Sequence, residues 1–189
     1  MGAIIPPRGQ LTGAGLSVTL TAMLGILSDS HNNETNLLRA LDVFRAAGVE
    51  TIIHCGDLTH PDTARLLDGF RVILTFGNGD LAESEIINTL KYYRADNYAA
   101  YTFTGEIDGV MVAAAHGHEA SRLQALVQAG KYAYVFRGHS HLAEDRSYPN
   151  GTRLINPGAL GGLKREARQC ALLDLASGEL RRVEIEHLA

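Results

Sequence analysis

Positive charge is in short supply in this sequence: 17 lysines and arginines stand against 21 aspartates and glutamates, a net charge of -4. Proteins built around a nucleic-acid footprint carry a basic patch, so this balance argues against that class. It leaves phosphate-bearing substrates open, because bound divalent cations can supply the positive field locally. Cysteine is equally scarce. Cys55 and Cys170 both sit inside apolar stretches, where a cysteine behaves as a small buried hydrophobe. They form no zinc-type pair and give no sign of an oxidising compartment, so a cytoplasmic location is expected. Internal repeats, low-complexity tracts, linkers and a GxGxxG signature are also missing, and Gly158 to Lys164 does not fit the phosphate-loop spacing.

No run is long and apolar enough for a membrane span. The nearest is Leu11 to Ser28, uncharged and preceded by Arg8, which superficially suggests a signal peptide. Gly, Ser and Thr dilute its first part, and its second part, Met23 to Leu27, leads directly into Ser28-Asp29-Ser30-His31. A cleavage there would remove the strand that presents Asp29. Residues 1–22 therefore read as a disordered or loosely docked extension, with 23–189 forming the domain and Met23 a candidate natural start. The 189 residues are the size of one domain. Such a fold buries roughly 70% of its unfolded surface and needs neither disulfide nor metal for stability. Any metal has to be explained by chemistry.

From Met23 onward, strand and helix patterns alternate. Met23 to Ser28 has strand length, and Leu37, Leu38, Leu41 and Phe44 follow at helical spacing, with Gly48 as the residue past the helix end. Thr51 to Cys55 is a second strand, Asp62 to Asp68 a short helix and Arg71 to Phe76 a third strand. This order is that of parallel crossovers. Tyr98 to Ile107 alternates like a strand and turns through Asp108-Gly109, a hairpin signal, into Val110 to Ala115. Ala120 to Ala129 is an amphipathic helix, Tyr132 to Phe136 a strand, and antiparallel pieces turn at Pro149-Asn150-Gly151 and Ser177-Gly178. The fold class is α/β, one domain with mixed sheets.

Five of these apolar strands are followed at once by Asp, Asn or His, usually beside Gly: Asp29-Ser30-His31, Gly56-Asp57, Gly77-Asn78-Gly79-Asp80, His116-Gly117-His118 and Gly138-His139-Ser140-His141. In open α/β sheets, ligand sites form at the carboxyl ends of strands, so residues far apart in sequence can meet there. Any one of these histidines alone reads best as a hydrogen-bonded structural residue; the ordered series does not.

The series resembles the calcineurin-like metallophosphoesterase superfamily, whose motifs run Asp-x-His, Gly-Asp, Gly-Asn-x-Asp/Glu, His and Gly-His-x-His. It looks most similar to the small bacterial and archaeal phosphodiesterase branch, and Asn156-Pro157-Gly158 matches a turn common there. The resemblance implies a four-layer sandwich of two mixed β-sheets flanked by helices. It also implies two divalent metals: Asp29, His31, Asp57 and His141 hold the first, and Asp57, Asn78, His116 and His139 the second, with Asp57 bridging. Imidazole, carboxylate and amide ligands suit divalent first-row ions, and without a cysteine ligand a structural zinc site is disfavoured. Mn²⁺ is the first choice; Fe, Zn, Ni and Co fit the same ligands. The implied activity is hydrolysis of a small-molecule or nucleotide phosphate ester by a metal-bridging hydroxide. A homodimer is also implied. The alternatives are a phosphomonoesterase acting on small organic phosphates and a non-catalytic scaffold like one eukaryotic branch, in which the metal site is degraded. Here all seven ligand positions carry competent residues, which favours catalysis.

One departure is informative. Many members carry His in the variable slot of Gly-Asn-x-Asp, thought to serve the leaving group, and this chain has Gly79. General-acid help is worth about 10²–10⁴-fold, so difficult leaving groups should be poor substrates unless His118 or water substitutes. Several small relatives that resemble phosphodiesterases also lack this His, so the resemblance favours diesters. Ala159 stands where relatives often have Ser, with no consequence attached. His118 either orients His116 or meets substrate, and Asn78 doubles as metal ligand and catalytic candidate. His54 reads as a satisfied core histidine, His60 as a helix cap, and Asp80 as a cap or a partner of the ligand loop. Lys164 and Arg165 read as a solvated loop that could also reach a phosphate, and His187 as uninvolved.

Overall fold

Alternation along the first strands decides which layers the chain builds. A computed structural model describes residues 23–163 and 166–185; the N-terminal extension, Lys164, Arg165 and His187 lie outside the described residues. In β1 (Met23–Leu27), β2 (Thr51–His54) and β3 (Arg71–Thr75), successive side chains point to opposite faces. Leu24, Ile26, Ile53 and Ile73 enter one apolar cluster, while Leu27, Ile52, Val72 and Leu74 enter another. A strand apolar on both faces has to be covered on both.

The second cluster lies against α1 (Glu34–Ala46), α2 (Pro61–Arg65) and α3 (Glu83–Tyr93), through Leu37, Leu41, Phe44, Ala64, Ile86 and Leu90. Gly25 lets α1 approach closely, since a Cβ there would lie 2.8 Å from the Phe44 ring. The first cluster is the seam between two sheets. One orders β11-β10-β1-β2-β3-β4, with β4 (Tyr98–Ala100), β10 (Gln169–Asp174) and β11 (Leu180–Glu184). The other orders β5-β6-β7-β9-β8, from β5 (Thr102–Ile107), β6 (Val110–Ala115), β7 (Tyr134–Phe136), β8 (Glu144–Ser147) and β9 (Arg153–Asn156). Phe103, Val112, Phe136 and Ile155 meet Leu24, Ile53 and Leu173 across the seam. On the far side α4 (Ala120–Gln128) seats Leu123 and Val127 on Ala113, Val135 and Leu154. The result is the four-layer sandwich of two mixed sheets between helices. Each fully buried Leu, Ile or Phe stabilises it by about 1.5–3 kcal/mol.

Strands β1 to β4 run parallel, as do β6, β7 and β9. The carboxyl ends of β1, β2 and β3 therefore align in the first sheet and those of β6 and β7 in the second, and the approach of His116 to Asp29 and Asp57 puts both sets at one end of the sandwich. One local reading needs revision, and one element has no counterpart among the expected ones. The alternating stretch Tyr98 to Ile107 is not one strand: it breaks at Tyr101, where the chain leaves the first sheet and enters the second. Helix α3 also appears where the sequence pattern is weak, because only Ile86 and Leu90 of its 11 residues are buried and no side chain caps its start.

Candidate metal centre

Five strand ends deliver the site, and the chain turns sharply at each. Asp29, His31, Asn32, Asp57, Thr59, His139 and His141 all have positive φ, between 44° and 80°. Among the described residues only one other non-glycine does, Asp108 in the β5–β6 hairpin. Such conformations cost on the order of 1 kcal/mol or more each and persist only where the surroundings impose them. Backbone bonds supply that constraint: Asp29 N–H donates to Gly56 O at 2.9 Å, His31 N–H to Asp57 O at 3.0 Å, and Gly161 N–H to Asp29 O at 2.7 Å.

The side chains then converge. Asp29 is fully buried; its Oδ2 accepts from Ser28 Oγ at 2.6 Å and from His139 N–H at 3.0 Å. Its Oδ1 has no hydrogen-bond partner and lies 3.4 Å from His141 Nε2 and 3.9 Å from both His31 Nε2 and His116 Nε2. Asp57 Oδ1 accepts the Gly79 N–H at 2.7 Å, which leaves Oδ2 3.6 Å from His31 Nε2 and 3.5 Å from His116 Nε2. His116 Nδ1 faces Cys55 O at 2.7 Å, so that nitrogen carries the proton and the buried, unpartnered Nε2 presents a lone pair. His31 Nε2 and His141 Nε2 are 3.2 Å apart, a spacing suited to two nitrogens each about 2.1 Å from one ion. Donor atoms of Asp29, His31 and His141 gather within 4.8 Å of one another, as do those of Asp29, Asp57 and His116. Unpaired buried donors of this kind fit a cation.

Burial lowers His116, but the Asp57 and Asp29 carboxylates outweigh it and raise that imidazole above its ordinary value in the metal-free chain. Burial raises the Asp29 carboxyl above its ordinary value, with His116, the Ser28 hydroxyl and His141 pulling against it. Burial acts the same way on Asp57, but His116, the Gly79 N–H and His31 outweigh it and hold that carboxyl at about 2. His139 is lowered by burial and by neighbouring His116, whose ring centroid is 5.1 Å away. Asn78, His139, His141, His31 and Asp57 open on one cavity of about 860 Å³, together with the first turn of α1 and Gly162-Leu163. His118 does not line that cavity; its ring lies 5.5 Å from that of His116 and 6.2 Å from that of His139.

The supporting residues fall where their neighbours need them. Asp80 accepts the N–H groups of Asp57, Thr59 and Gly77 at 2.9, 2.6 and 2.8 Å, tying the β2 loop to the β3 loop; it does not cap α3, which starts from Ala82. His60 caps α2. Asn156 Nδ2 donates to Gly138 O and Ser140 Oγ, both at 3.0 Å, which fastens the Asn-Pro-Gly turn to the histidine loop. Nothing in the sequence pattern marks Ser28, Glu166 beside His141, or Arg168, whose guanidinium holds Gly161 O and Gly162 O.

His54 is wholly buried between Ser30 Oγ at 3.0 Å and the Gly56 N–H at 3.2 Å. Burial, reinforced by His116, holds its imidazole down at about 3. The unfolded chain takes up a proton near pH 6.5 that folded His54 refuses, so stability is lost as pH falls from about 6.5 toward 3, at about 1.4 kcal/mol per unit. Urea unfolding of the metal-free chain at pH 7 and pH 5 should differ by about 2 kcal/mol more than for His54→Gln. Equal pH slopes would remove His54 as the cause.

A two-sheet α/β sandwich with carboxylates and imidazoles gathered at its strand ends defines a metal-dependent phosphoesterase. The calcineurin-like phosphoesterase superfamily domain matches residues 23–178, and the chain belongs to that family. A Methanocaldococcus jannaschii protein named as a phosphodiesterase is 29% identical over 167 residues, covering 86% of this chain and 99% of the relative. The solved structure of an archaeal phosphodiesterase superimposes with a TM-score of 0.81 at 29% identity, again over 86% and 99% of the two chains. A phosphoesterase from E. coli shares the fold, with a TM-score of 0.63 at 19% identity over 87% of this chain and all of the other.

Proposed function

We propose that this chain hydrolyses phosphodiesters at a dinuclear centre loaded with Mn²⁺. Asp29, His31, Asp57 and His141 hold one ion, and Asp57, Asn78, His116 and His139 the other. The observation that carries this reading is the pair of buried, unpartnered atoms Asp29 Oδ1 and His116 Nε2 converging with Asp57 Oδ2. When bound, two divalent cations lower the pKa of a shared water toward neutrality and neutralise charge developing on phosphate oxygens. The protein's part is to fix the ligands before substrate arrives. Asp57 stands midway between the His31 and His116 nitrogens, and Cys55 O sets the tautomer of His116. Asn78 reaches the substrate phosphate from the exposed edge of the cavity, and His118, its ring 5.5 Å from that of His116, either supports that ring or meets the substrate.

Two features support a diester. Gly79 stands where many family members, though not several small phosphodiesterase-like ones, carry a histidine for the leaving group, and a Cβ there would already meet Asp57 Oδ1 at 3.1 Å. Leu163, fully exposed, lines the cavity and offers the second ester substituent an apolar contact. A cytoplasmic setting goes with this reading, on two buried and unpaired cysteines, as does a homodimer. The test compares bis(p-nitrophenyl) phosphate with p-nitrophenyl phosphate, with Mn²⁺ and with chelator. Chelator-sensitive turnover with the diester faster is expected. No chelator-sensitive turnover of either would refute the enzyme reading, and a faster monoester would refute the diester preference alone.

A further inference from the structure

His141 differs from His116 in one respect. The Nδ1 of His116 has the Cys55 carbonyl, whereas the Nδ1 of His141 is buried with no hydrogen-bond partner. Facing it at 4.0 Å is Glu166 Oε1, and the other carboxylate oxygen, Oε2, is likewise buried and without a hydrogen bond. A ring nitrogen without a hydrogen bond thus faces a carboxylate of complementary kind at 4.0 Å.

The segment around Glu166 is built to hold it there. Arg168 is 6% exposed; it donates to Gly161 O, and to Gly162 O at 2.8 Å, and its Nη1 lies 3.9 Å from Glu166 Oε2. Gly162 packs on the His141 ring so closely that a Cβ there would lie 2.6 Å from Cε1. One segment therefore gives His141 both a wall and a carboxylate. An imidazole that binds a cation through Nε2 must carry its proton on Nδ1, and that proton needs an acceptor.

We propose that Glu166 is the positioning residue of His141, accepting its Nδ1–H and so fixing the ring's tautomer and orientation toward the metal. The proposal rests on the metal-site reading above. Carboxylates in this position typically contribute about 10–100-fold to metal affinity. The test is calorimetric titration of Mn²⁺ into the metal-free full chain, with the thermal midpoint of each metal-free variant measured alongside. Glu166→Ala is expected to weaken Mn²⁺ binding by about 10–100-fold while leaving the metal-free midpoint near that of the parent. Glu166→Gln, whose amide oxygen still accepts from Nδ1–H, should stay within a few-fold of the parent. Unchanged affinity in Glu166→Ala overturns the proposal, as does a Glu166→Gln loss equal to that of Glu166→Ala. If the parent chain binds no Mn²⁺, the metal-site reading falls and takes the proposal with it, which separates the two failures.

Discussion

Asp57→Asn is expected to lower diester turnover by about a thousandfold or more while leaving a folded protein. The geometry makes the substitution unusually clean. Asp57 Oδ1 is already engaged by the Gly79 N–H at 2.7 Å, and an asparagine Oδ1 can keep that bond. What is lost is Oδ2, the atom 3.6 Å from His31 Nε2 and 3.5 Å from His116 Nε2, replaced by an amide nitrogen with no lone pair to give. If Oδ2 serves both ions, both are weakened at once, and a loss of about 4 kcal/mol in transition-state stabilisation corresponds to about 10³ in rate. The metal-free fold should lose far less. The Asp57 carboxyl is held at about 2 against an ordinary 3.8, so its charge contributes stability above pH 3.8 that fades as pH falls toward 2. That contribution is about 2 kcal/mol at neutral pH. Turnover, Mn²⁺ titration and urea unfolding on one preparation separate the effects. A variant keeping more than a tenth of parental turnover contradicts the bridging role.

Much of this site was legible because the strands announce their own ends. Each of β1, β2, β3, β6 and β7 is a short apolar run stopped by Asp, Asn or His; parallel pairing lines up the ends within each sheet, and the packing of the two sheets brings the two sets together. The reading of Asp80 as a partner of the ligand loops also follows from adjacency, since it closes the loop that carries Asn78. What escaped has physical reasons. Helix α3 buries only Ile86 and Leu90, too few positions to set a period of 3.6. The switch between sheets at Tyr101 is hidden because alternation continues on both sides of it, and a period of two does not say which sheet a strand joins. The left-handed backbone at Asp29, His31, Asp57, His139 and His141 has only a weak sequence mark, since Asp and His enter that region more readily than other side chains but still seldom. Glu166 escaped because its partner is on another loop, and a lone glutamate past a glycine pair reads as solvated surface.

Gly138→Ala should cost the fold about 3 kcal/mol and disorder the metal site as well. The φ of Gly138 is outside the left-handed region, so alanine's backbone preferences are no obstacle there. The obstacle is space. A Cβ at Gly138 would overlap Ser28 Oγ outright and lie 2.6 Å from Asp29 Oδ2 and 2.9 Å from Ser28 Cβ. Neither side can yield cheaply. Gly138 is pinned by its N–H to His116 O at 2.9 Å and by Asn156 Nδ2 on its carbonyl at 3.0 Å. Turning the Ser28 hydroxyl away breaks its 2.6 Å bond to Asp29 Oδ2, and Asp29 is fully buried with its other oxygen already unpartnered. Gly69 supplies the contrast: at φ +89° a Cβ meets nothing within 4 Å, so Gly69→Ala carries only backbone strain, about 1 kcal/mol, and leaves Mn²⁺ binding alone. Adding Ser28→Ala to Gly138→Ala should recover part of the loss, because it removes the worst overlap but not the approach to Asp29. Urea midpoints and Mn²⁺ affinities of the four chains check this. Equal midpoints for Gly138→Ala and the parent would show that the histidine loop can shift without disturbing the carboxylate it rests on.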